Sequence, residues 1–564
     1  MKIHELYDKE PITVGSYLSK CGVKDIEEYL HPSGKYLDNW REYEDVVYGI
    51  KEIEFWTKID NEVTIFIIQD GDTDGICSTV ILYQYLTQLS DKWNIKILIH
   101  SGKQRGLDDN DIMNRIRQER PTLVIIPDAG TNDKEQAEEL CDLGIGLLVI
   151  DHHDIVTPIE KGVLINNQDM NYKVSRNGSG TLVTHKFLQG MDEYFDLRLS
   201  SNCIDLVSLS LISDSMNMTE MENREYYYYG IETIDCIVNP FLKAMFERFI
   251  GNKTYTQKDI AFSIVPKLNA ICRCDDMSKK QRLMLAFIGQ DNIKEVLDIL
   301  EQAHKDQINI VNKVIEENTQ EIQNVSKNNL IIIANDNIPR SYSGLLAGKI
   351  KTMCGDKPTI IGSIKNGYMV GSLRSPIPLR KELAENELID FASGHEESCG
   401  IGIYENNIQA LVDYYNKLEM SYEPYIDILS SYSIKSVPTK LFGLFEPYSV
   451  LWGHGIKNPM FHITNIIFTP SEWQIMGKNK RTLKLHKEGI DIVIFNCLKK
   501  DKEDLQLGYY ENDVFVNTPT NKKLRMECVG ELNINKWNDK KILQIIVDKF
   551  EVSCYNKTSK DDLF

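Results

Sequence analysis

The chain has 564 residues, of which 42% are hydrophobic and 26% are charged, and its formal net charge is −19. These fractions are typical of a soluble globular protein with three or four domains, and the absence of an apolar run of roughly 20 residues excludes a transmembrane helix. The negative charge argues against a broad basic surface for nucleic acid, but it does not exclude a local basic groove.

The N-terminus and the cysteines bear on the compartment. The first residues, Met1 to Glu5, lack the apolar core of a signal peptide, so the expected location is the cytoplasm, without membrane association. The 12 cysteines are scattered without a C-x-x-C pair, and Cys272 and Cys274 are too close together for a common zinc knuckle. We therefore predict reduced thiols.

Residues 1–45 are predicted to form a helical segment. Residues 46–225 alternate apolar runs with helical patterns, which predicts a parallel β-sheet with helices on both faces. The predicted strands cover residues 63–68, 95–99, 123–126 and 147–150.

Three carboxylates, Asp70, Asp72 and Asp74, directly follow the first predicted strand. Clustered carboxylates repel one another, so a positive charge must offset them. Hard divalent cations prefer oxygen ligands, and Mn²⁺ also accepts imidazole. The alternative interpretation is an acidic surface loop.

Two later strands end in further potential ligands. Asp128 follows the strand at 123–126, and Asp151, His152 and His153 follow the strand at 147–150. Sites in parallel α/β sheets form outside the carboxyl ends of the strands, so three such ends predict one metal site. A His-His pair alone is more often a surface or core feature. Asp214 follows a mostly apolar stretch and either adds a carboxylate to this site or is a solvated helical residue.

The rest of the chain divides into three predicted parts. Residues 226–328 are helical, and the charged stretch at 291–327, which lacks Pro and Gly, is predicted to be one continuous connecting helix unless it forms ordinary surface helices. Residues 329–425 return to α/β character, with strands at 330–334 and 359–362. Residues 426–564 contain short β-like stretches at 461–468, 482–485 and 490–495, which predict a small barrel or sandwich.

These motifs resemble those of the DHH phosphoesterase superfamily. The carrying segments are D-G-D-T-D-G at 70–75, D-A-G at 128–130, D-H-H at 151–153 and S-D at 213–214. The segment S-G-H-E-E-S-C-G at 393–400 resembles the G-G-H-x-x-A-x-G signature of the accompanying substrate domain, and G-S-L-R-S at 371–375 matches its G-S-x-R-S strand. Segments at 104–107, 222–224, 266–273, 446–448 and 453–459 resemble RecJ-like exonucleases, so the resemblance covers nearly the whole chain.

The sequence departs from the family pattern at five positions. These are Ser393 for Gly, Cys399 for Ala, Lys267 for Arg, Cys272 for Gly and Asn167 for Pro. None of them removes a metal ligand, so they put the details of substrate binding in doubt rather than the chemistry. This divergence would suit a phage or mobile-element protein.

The resemblance implies two bound Mn²⁺ or Mg²⁺ ions and no other cofactor. The implied direct ligands are Asp72, Asp74, Asp128, His152 and Asp214. Asp70 would be a direct ligand or support one, and His153 would contact the scissile phosphate or orient a ligand. The implied catalytic residues are these five ligands together with His153.

The substrate domain would hold the end of the DNA strand. Arg374 with Ser372 would grip a 5′-phosphate through charge-assisted bonds, unless Arg374 forms a salt bridge at the strand edge. The implied substrate-binding residues are Arg105, Arg273, Ser372, Arg374, Ser375, Gly394 and His395. In the C-terminal part, Lys478, Lys480, Arg481, Lys484 and Lys487 near Trp473 form either a strand-binding groove with stacking or a solvated charged face.

The implied fold class is α/β with five parts. They are an N-terminal helical segment (1–45), a parallel-sheet DHH catalytic domain (46–225), a helical connector (226–328), a smaller α/β DHH-associated substrate domain (329–425) and a β-rich OB-like nucleic-acid-binding domain (426–564). The implied activity is metal-dependent 5′→3′ degradation of single-stranded DNA to 5′-mononucleotides in DNA repair or recombination. The implied partners are single-stranded DNA and a single-strand-binding protein, and the chain is expected to be a monomer.

Two other functions remain open at the sequence level. One is a phosphodiesterase for very short RNA or oligonucleotides, which the additional C-terminal residues disfavour because such enzymes usually have two domains. The other is a non-catalytic replication scaffold, which the retained acidic and His ligands disfavour.

Overall fold

The computed structural model describes residues 2–7, 11–37, 39–59, 62–101, 105–251, 254–418, 425–477, 480–511, 514–537 and 540–555. The chain forms two compact units. One consists of Met1–Ile26 with Glu423–Phe564, and the other is Glu27–Tyr422.

The first elements are short. Strand β1 (Ile3–Glu5) and helix α1 (Val14–Lys20) belong to the first unit, and helices α2 (Ile26–Leu30) and α3 (Val46–Thr57) follow them. Thr13 caps α1 by accepting a hydrogen bond from the amide of Ser16, so the predicted helical segment also contains a strand.

A five-stranded sheet forms the centre of the second unit. Its strand order is β3-β2-β4-β5-β6, and every neighbouring pair is parallel. The elements are β2 (Val63–Gln69), α4 (Thr73–Leu89), β3 (Trp93–Ile99), α5 (Asn110–Glu119), β4 (Leu123–Pro127), α6 (Lys134–Asp142), β5 (Gly146–Asp151), β6 (Val163–Asn166), α7 (Gly180–Phe195), α8 (Ile204–Ser213) and α9 (Met221–Gly230).

The four predicted strands of this sheet are confirmed. They are buried on both faces, as in β4, where all five residues are buried, and such strands read as continuous apolar runs. Strand β6 was not predicted because it has only four residues and runs directly into Asn166 and Asn167.

The connecting region is helical, as predicted. It contains α10 (Pro240–Phe249), α11 (Gln257–Ser263), α12 (Val265–Cys272), α13 (Met277–Phe287), α14 (Ile293–Glu317) and α15 (Thr319–Val325). The prediction of one continuous helix over 291–327 is wrong, because Asn318 leaves helical geometry between α14 and α15. Its side chain donates to the carbonyl of Val314 at 2.7 Å and accepts from Nδ2 of Asn335 at 2.9 Å.

A second sheet follows in the same unit. Its order is β10-β11-β9-β8-β7, with β7 and β8 parallel and the remaining pairs antiparallel. The elements are β7 (Ile331–Ala334), α16 (Ser343–Met353), β8 (Thr359–Lys365), β9 (Tyr368–Arg374), α17 (Arg380–Ala384), β10 (Phe391–His395), β11 (Ser398–Tyr404) and α18 (Glu405–Lys417).

The C-terminal part is β-rich, as predicted. It contains β12 (Ile426–Ile428), β13 (Ser431–Ser433), β14 (Phe461–Phe468), β15 (Gln474–Met476), β16 (Thr482–Lys487), β17 (Ile490–Ile494), α19 (Lys499–Asp504), β18 (Gly508–Glu511), β19 (Val514–Asn517), β20 (Leu524–Trp537) and β21 (Lys540–Cys554). Seven of these strands form one sheet in the order β13-β14-β20-β21-β17-β16-β15, and β1 pairs with β12.

The predicted fold class is therefore confirmed, whereas the exact boundaries of the five predicted domains stay a prediction. All 12 cysteines are free thiols. Within the described ranges, no helix combines the length and the apolar character that a membrane crossing requires.

Candidate metal centre

Six predicted ligands converge at one edge of the first sheet. Asp70 and Asp72 lie in the loop after β2, and Asp74 lies in the first turn of α4, whose N-terminus is capped by Asp72. The remaining three follow β4, β5 and α8 and are Asp128, His152 and Asp214. Parallel strands end at a common edge, which explains how residues so far apart in sequence come together.

The ligand atoms form two groups. In the first, Nε2 of His152 lies 3.8 Å from Asp74 Oδ2 and 3.3 Å from Asp214 Oδ2. In the second, carboxylate oxygens of Asp70, Asp72 and Asp128 lie within 4.8 Å of one another. Asp128 also places Oδ1 at 3.2 Å from Nε2 of His152, so it stands between the two groups.

The electrostatics of these groups indicate a site built for cations. Burial, followed by repulsion from Asp72, raises the pKa of Asp70 to about 7 and that of Asp74 to about 6. Burial, followed by the charges of Asp74 and Asp72, also holds the pKa of Asp128 and that of Asp214 well above the ordinary value. A bound divalent cation would remove the repulsion that produces these shifts.

Three buried atoms at the site have no hydrogen-bond partner. They are Oδ1 of Asp70, Oδ1 of Asp128 and Nε2 of His152. Burial, followed by the charge of His153, lowers the pKa of His152 to about 3, so its imidazole is neutral at physiological pH. Unpaired buried oxygens beside a neutral imidazole are the donor set that Mn²⁺ accepts, and the residues therefore fit the predicted metal ions.

The N-terminus of α7 holds Asp74 in place. The carboxylate of Asp74 accepts hydrogen bonds from the amides of Gly180 at 2.8 Å and Thr181 at 2.9 Å, and also from the Thr181 hydroxyl. Sequence reasoning missed this support, although the segment 178–180, Gly-Ser-Gly before an apolar helix, is typical of a helix start that approaches another chain segment closely. Free amides at a helix start favour a negative charge.

Gly180→Ala is expected to reduce activity about 100-fold, the loss that a 1 Å misplacement of a catalytic group can cause. A Cβ atom at 180 would lie 2.3 Å from Oδ1 and 2.8 Å from Cα of Asp128, so a predicted ligand would have to move. Gly15→Ala is the matched control, because a Cβ atom there meets Ile26 at an ordinary 3.5 Å. Equal single-strand hydrolysis rates for both variants would contradict this role of Gly180.

Asp151 positions the His pair. Its Oδ2 accepts from the amide and hydroxyl of Thr131 at 3.1 and 2.6 Å, and its Oδ1 accepts from the amide of His152 at 2.7 Å and faces Nδ1 of His153 at 2.8 Å. Burial alone would raise the pKa of Asp151, but the charge of His153 and these bonds lower it. Because its oxygens are engaged, Asp151 serves better as an orienting residue than as a ligand, a role that the sequence analysis did not assign.

Two predicted phosphate contacts lie at the rim of the cluster. Nη1 of Arg105 lies 3.2 Å from Nε2 of His153. Burial alone would lower the pKa of His153, but the charge of Asp151 and its hydrogen bond raise it to about 9. Arg105 and His153 thus present cationic donors beside the carboxylates. Gln104, which belongs to the same predicted motif, lies outside the described residues.

Arg273 and Arg374 line one cavity of about 700 Å³. Lys349 of α16 lines it as well and was missed, because nothing in the sequence connects this helix with the arginines. Nη1 of Arg374 donates to the carbonyl of Leu373, and the described residues offer Arg374 no carboxylate partner, so the alternative of a strand-edge salt bridge is not supported. Ser372 lies alongside, with its hydroxyl 2.9 Å from that of Ser343.

The remaining predicted substrate residues differ in their surroundings. Ser375 is buried, and its hydroxyl donates to the carbonyl of Ile377 at 2.6 Å, so it holds a turn and is not open to a ligand. Gly394 has a φ of 125°, which only glycine adopts without strain. His395 lies close enough to the metal centre that, after burial, the charge of His153 lowers its pKa.

The C-terminal basic cluster is largely neutralised. Lys484 pairs with Asp491 at 2.6 Å and Lys487 with Glu472 at 2.5 Å. Trp473 is buried, so the expectation that its ring stacks on a base is wrong. Lys478 lies outside the described residues.

Two family models match the chain. The DHH family, N-terminal domain, matches residues 64–211, and the RecJ OB domain matches residues 444–549. These matches contain the metal centre up to α8 and most of the C-terminal sheet.

Several known proteins are similar over most of the chain. A protein of Bacillus subtilis (strain 168) named as the SPbeta prophage-derived single-strand DNA-specific exonuclease YorK is 26% identical over 88% of this chain and 88% of its own length. The single-stranded-DNA-specific exonuclease RecJ of the same organism is 23% identical over 98% of this chain and 70% of its own length. The crystal structure of RecJ from Thermus thermophilus in complex with Mn²⁺ has a TM-score of 0.73 at 18% identity and covers 95% of this chain and 75% of that chain, and the same protein with Mg²⁺ has a TM-score of 0.67. At this identity the structural similarity establishes the fold.

Proposed function

Because this chain is a RecJ-like member of the DHH phosphoesterase superfamily, we propose that it is an exonuclease that degrades single-stranded DNA from the 5′ end to 5′-mononucleotides. Its reaction is metal-dependent hydrolysis of phosphodiester bonds, and its proposed role is DNA repair or recombination in the cytoplasm. The proposed working form is a monomer that receives its substrate from a single-strand-binding protein.

The observation that carries this proposal is the buried cluster around His152. Its two groups of carboxylates share one neutral imidazole, and buried oxygens of Asp70 and Asp128 have no protein partner. A surface loop would leave its carboxylates in water, whereas Asp70, Asp74 and Asp128 are at most 2% exposed. Such a cluster is costly without cations and useful with them.

The proposed ligands divide between two Mn²⁺ or Mg²⁺ ions. Asp74, His152 and Asp214 would hold one ion, Asp70 and Asp72 the other, and Asp128 fits between them. When bound, two such cations lower the pKa of a water molecule and stabilise the charge on the attacking and leaving oxygens.

The protein's own groups position the phosphodiester. Arg105 and His153 lie beside the carboxylates, where each can donate a hydrogen bond to a phosphate oxygen. Asp151 fixes the His153 ring by accepting from Nδ1, so Nε2 stays directed towards the rim. The buried surroundings strengthen these contacts because water is excluded.

The cavity that contains Arg273 and Arg374 is the proposed pocket for the 5′-phosphate. Arg374→Ala is expected to slow digestion of 5′-phosphorylated strands about 10- to 100-fold relative to 5′-hydroxyl strands, since a charge-assisted hydrogen bond contributes about 1.5–3 kcal/mol. Rates on the two strands, compared at saturating Mn²⁺, give the measurement. Arg117→Ala, which breaks an exposed ion pair with Glu139, is the control and should leave the ratio unchanged. An equal loss on both strands would remove Arg374 from this role.

A substrate comparison tests the proposed function. With Mn²⁺, the protein should degrade a single strand, leave a blunt duplex largely intact and release 5′-mononucleotides, while Asp128→Asn should do none of this. Cleavage of dinucleotides without degradation of long strands would support the short-oligonucleotide phosphodiesterase instead. Failure to cleave any of these substrates would support the non-catalytic scaffold.

A further inference from the structure

Three aromatic residues, Tyr368, Phe391 and Tyr404, lie together on the second sheet and are called the aromatic platform below. They come from the adjacent strands β9, β10 and β11, and Gly402 of β11 pairs directly with Phe391. A Cβ atom on Gly402 would lie 2.2 Å from the hydroxyl of Tyr368 and 2.3 Å from Cε1 of Phe391. Both rings therefore rest directly on the glycine backbone, where any side chain would displace them.

The aromatic platform is fixed in place but open to solvent. The rings of Tyr368 and Tyr404 are 5.0 Å apart and inclined by 65°, and the Tyr368 hydroxyl donates to Asp390 at 2.5 Å. Phe391 is nevertheless 39% exposed and Tyr404 is 55% exposed. The opposite face of the same strands is buried in a hydrophobic core, so burial in that core does not account for these rings.

The aromatic platform is continuous with the proposed 5′-phosphate pocket. Side chains alternate along a strand, so Tyr368, Ser372 and Arg374 lie on the same side of β9. Gly402, beneath the platform, pairs with Val370. Val370 is two residues from Ser372, which is about 7 Å along a strand. A base attached to a phosphate in the pocket would therefore reach the aromatic platform.

We propose that the aromatic platform is a nucleobase site on which the base of the 5′-terminal nucleotide stacks while its phosphate lies near Ser372 and Arg374. This inference rests on the proposed function and adds a determinant of substrate binding to it. Aromatic rings bind any base through its π-face, whereas the carboxylate of Asp390 beside Tyr368 disfavours a phosphate at the same place.

Binding to strands with and without a terminal base tests the proposal. The measurement uses the full chain carrying Asp128→Asn, with Mn²⁺, so that bound strands are not degraded. The probes are short 5′-phosphorylated single strands that carry a 3′ fluorophore and either an ordinary or an abasic 5′-terminal nucleotide. We expect the ordinary strand to bind about 10-fold more tightly, within the range measured for single stacking contacts.

Substitution of the ring then separates stacking from other effects. Phe391→Ala, added to the same chain, should bind both strands with the affinity that the platform-intact chain has for the abasic strand, and Phe391→Trp should keep the preference. Tyr414→Ala is the matched control, because Tyr414 is 44% exposed on α18 and does not belong to the aromatic platform. Thermal unfolding verifies that each variant is folded.

The outcomes distinguish this proposal from the proposed function. A preference that survives Phe391→Ala, an equal loss for both strands, or no preference in the platform-intact chain would overturn the nucleobase site. Cleavage by the chain with intact Asp128 is scored separately, so an inactive protein that still shows the Phe391-dependent preference would contradict only the exonuclease function. A protein that binds neither strand would overturn both.

Discussion

Asp128→Asn is expected to reduce single-strand hydrolysis at least about 1,000-fold, comparable to the loss of a principal transition-state-stabilising group. Asp128 stands between the two ligand groups, 3.2 Å from Nε2 of His152, so its loss affects both proposed ion positions. The hydrolysis rate in saturating Mn²⁺ is the measurement. Asp142→Asn, an exposed carboxylate at the end of α6, is the control and should have no effect.

The same substitution should make the metal-free protein more stable. The pKa of Asp128 is raised by burial and by its carboxylate neighbours, which means that its charge is unfavourable in the fold without cations. Asparagine keeps the shape, removes that charge and can donate to the neutral imidazole of His152. A higher unfolding temperature in EDTA, together with lost stabilisation by Mn²⁺, would identify Asp128 as a ligand. A lower unfolding temperature in EDTA would indicate a purely structural carboxylate.

The metal-free protein is also expected to lose stability as the pH rises from 6.5 to 9. Burial and neighbouring carboxylates raise the pKa of Asp70 from 3.8 to about 7, so the folded state holds a proton that the unfolded state has released. The stability that this proton contributes is complete below the unfolded pKa and is lost as the pH passes the folded pKa. Each unit of pKa shift corresponds to about 1.4 kcal/mol, so the loss amounts to several kcal/mol.

Two histidines of the site determine the pH window. The pKa of His153 is raised to about 9, so it too loses stability between pH 6.5 and 9. The pKa of His152 is lowered to about 3, and its opposite effect is complete once the pH exceeds 6.5. Denaturant unfolding in EDTA should therefore show a falling free energy across this window, and Asp70→Asn should flatten the curve. In Mn²⁺ the stabilisation should increase with pH because fewer protons compete for the carboxylates. A flat curve in EDTA would contradict the assignment of these pKa shifts.

The parallel sheet and the positions of the ligands could be predicted from the sequence because both follow from local patterns. Continuous apolar runs such as 123–126 identify buried strands, and Asp128 or His152 directly after such a run must lie near the strand end. The common edge of a parallel sheet then brings these ends together without further information.

The supporting contacts could not be predicted in this way. Gly180 and Thr181 reach Asp74 across more than 100 positions in the chain, and their role depends on the packing of α7 rather than on any local pattern. Lys349 joins the arginine pocket for the same reason. The helix break at Asn318 depends on a hydrogen bond from Asn335, which no periodicity reveals.

The most direct test of the account is digestion of a long single strand labelled at either its 5′ or its 3′ end, in Mn²⁺, by the unmodified protein and by Asp128→Asn. We expect the unmodified protein to release the 5′ label at once as a mononucleotide and to shorten the 3′-labelled strand progressively, while Asp128→Asn leaves both strands intact. Immediate release of the 3′ label, or equal digestion by both proteins, would contradict a 5′→3′ exonuclease centred on the His152 cluster.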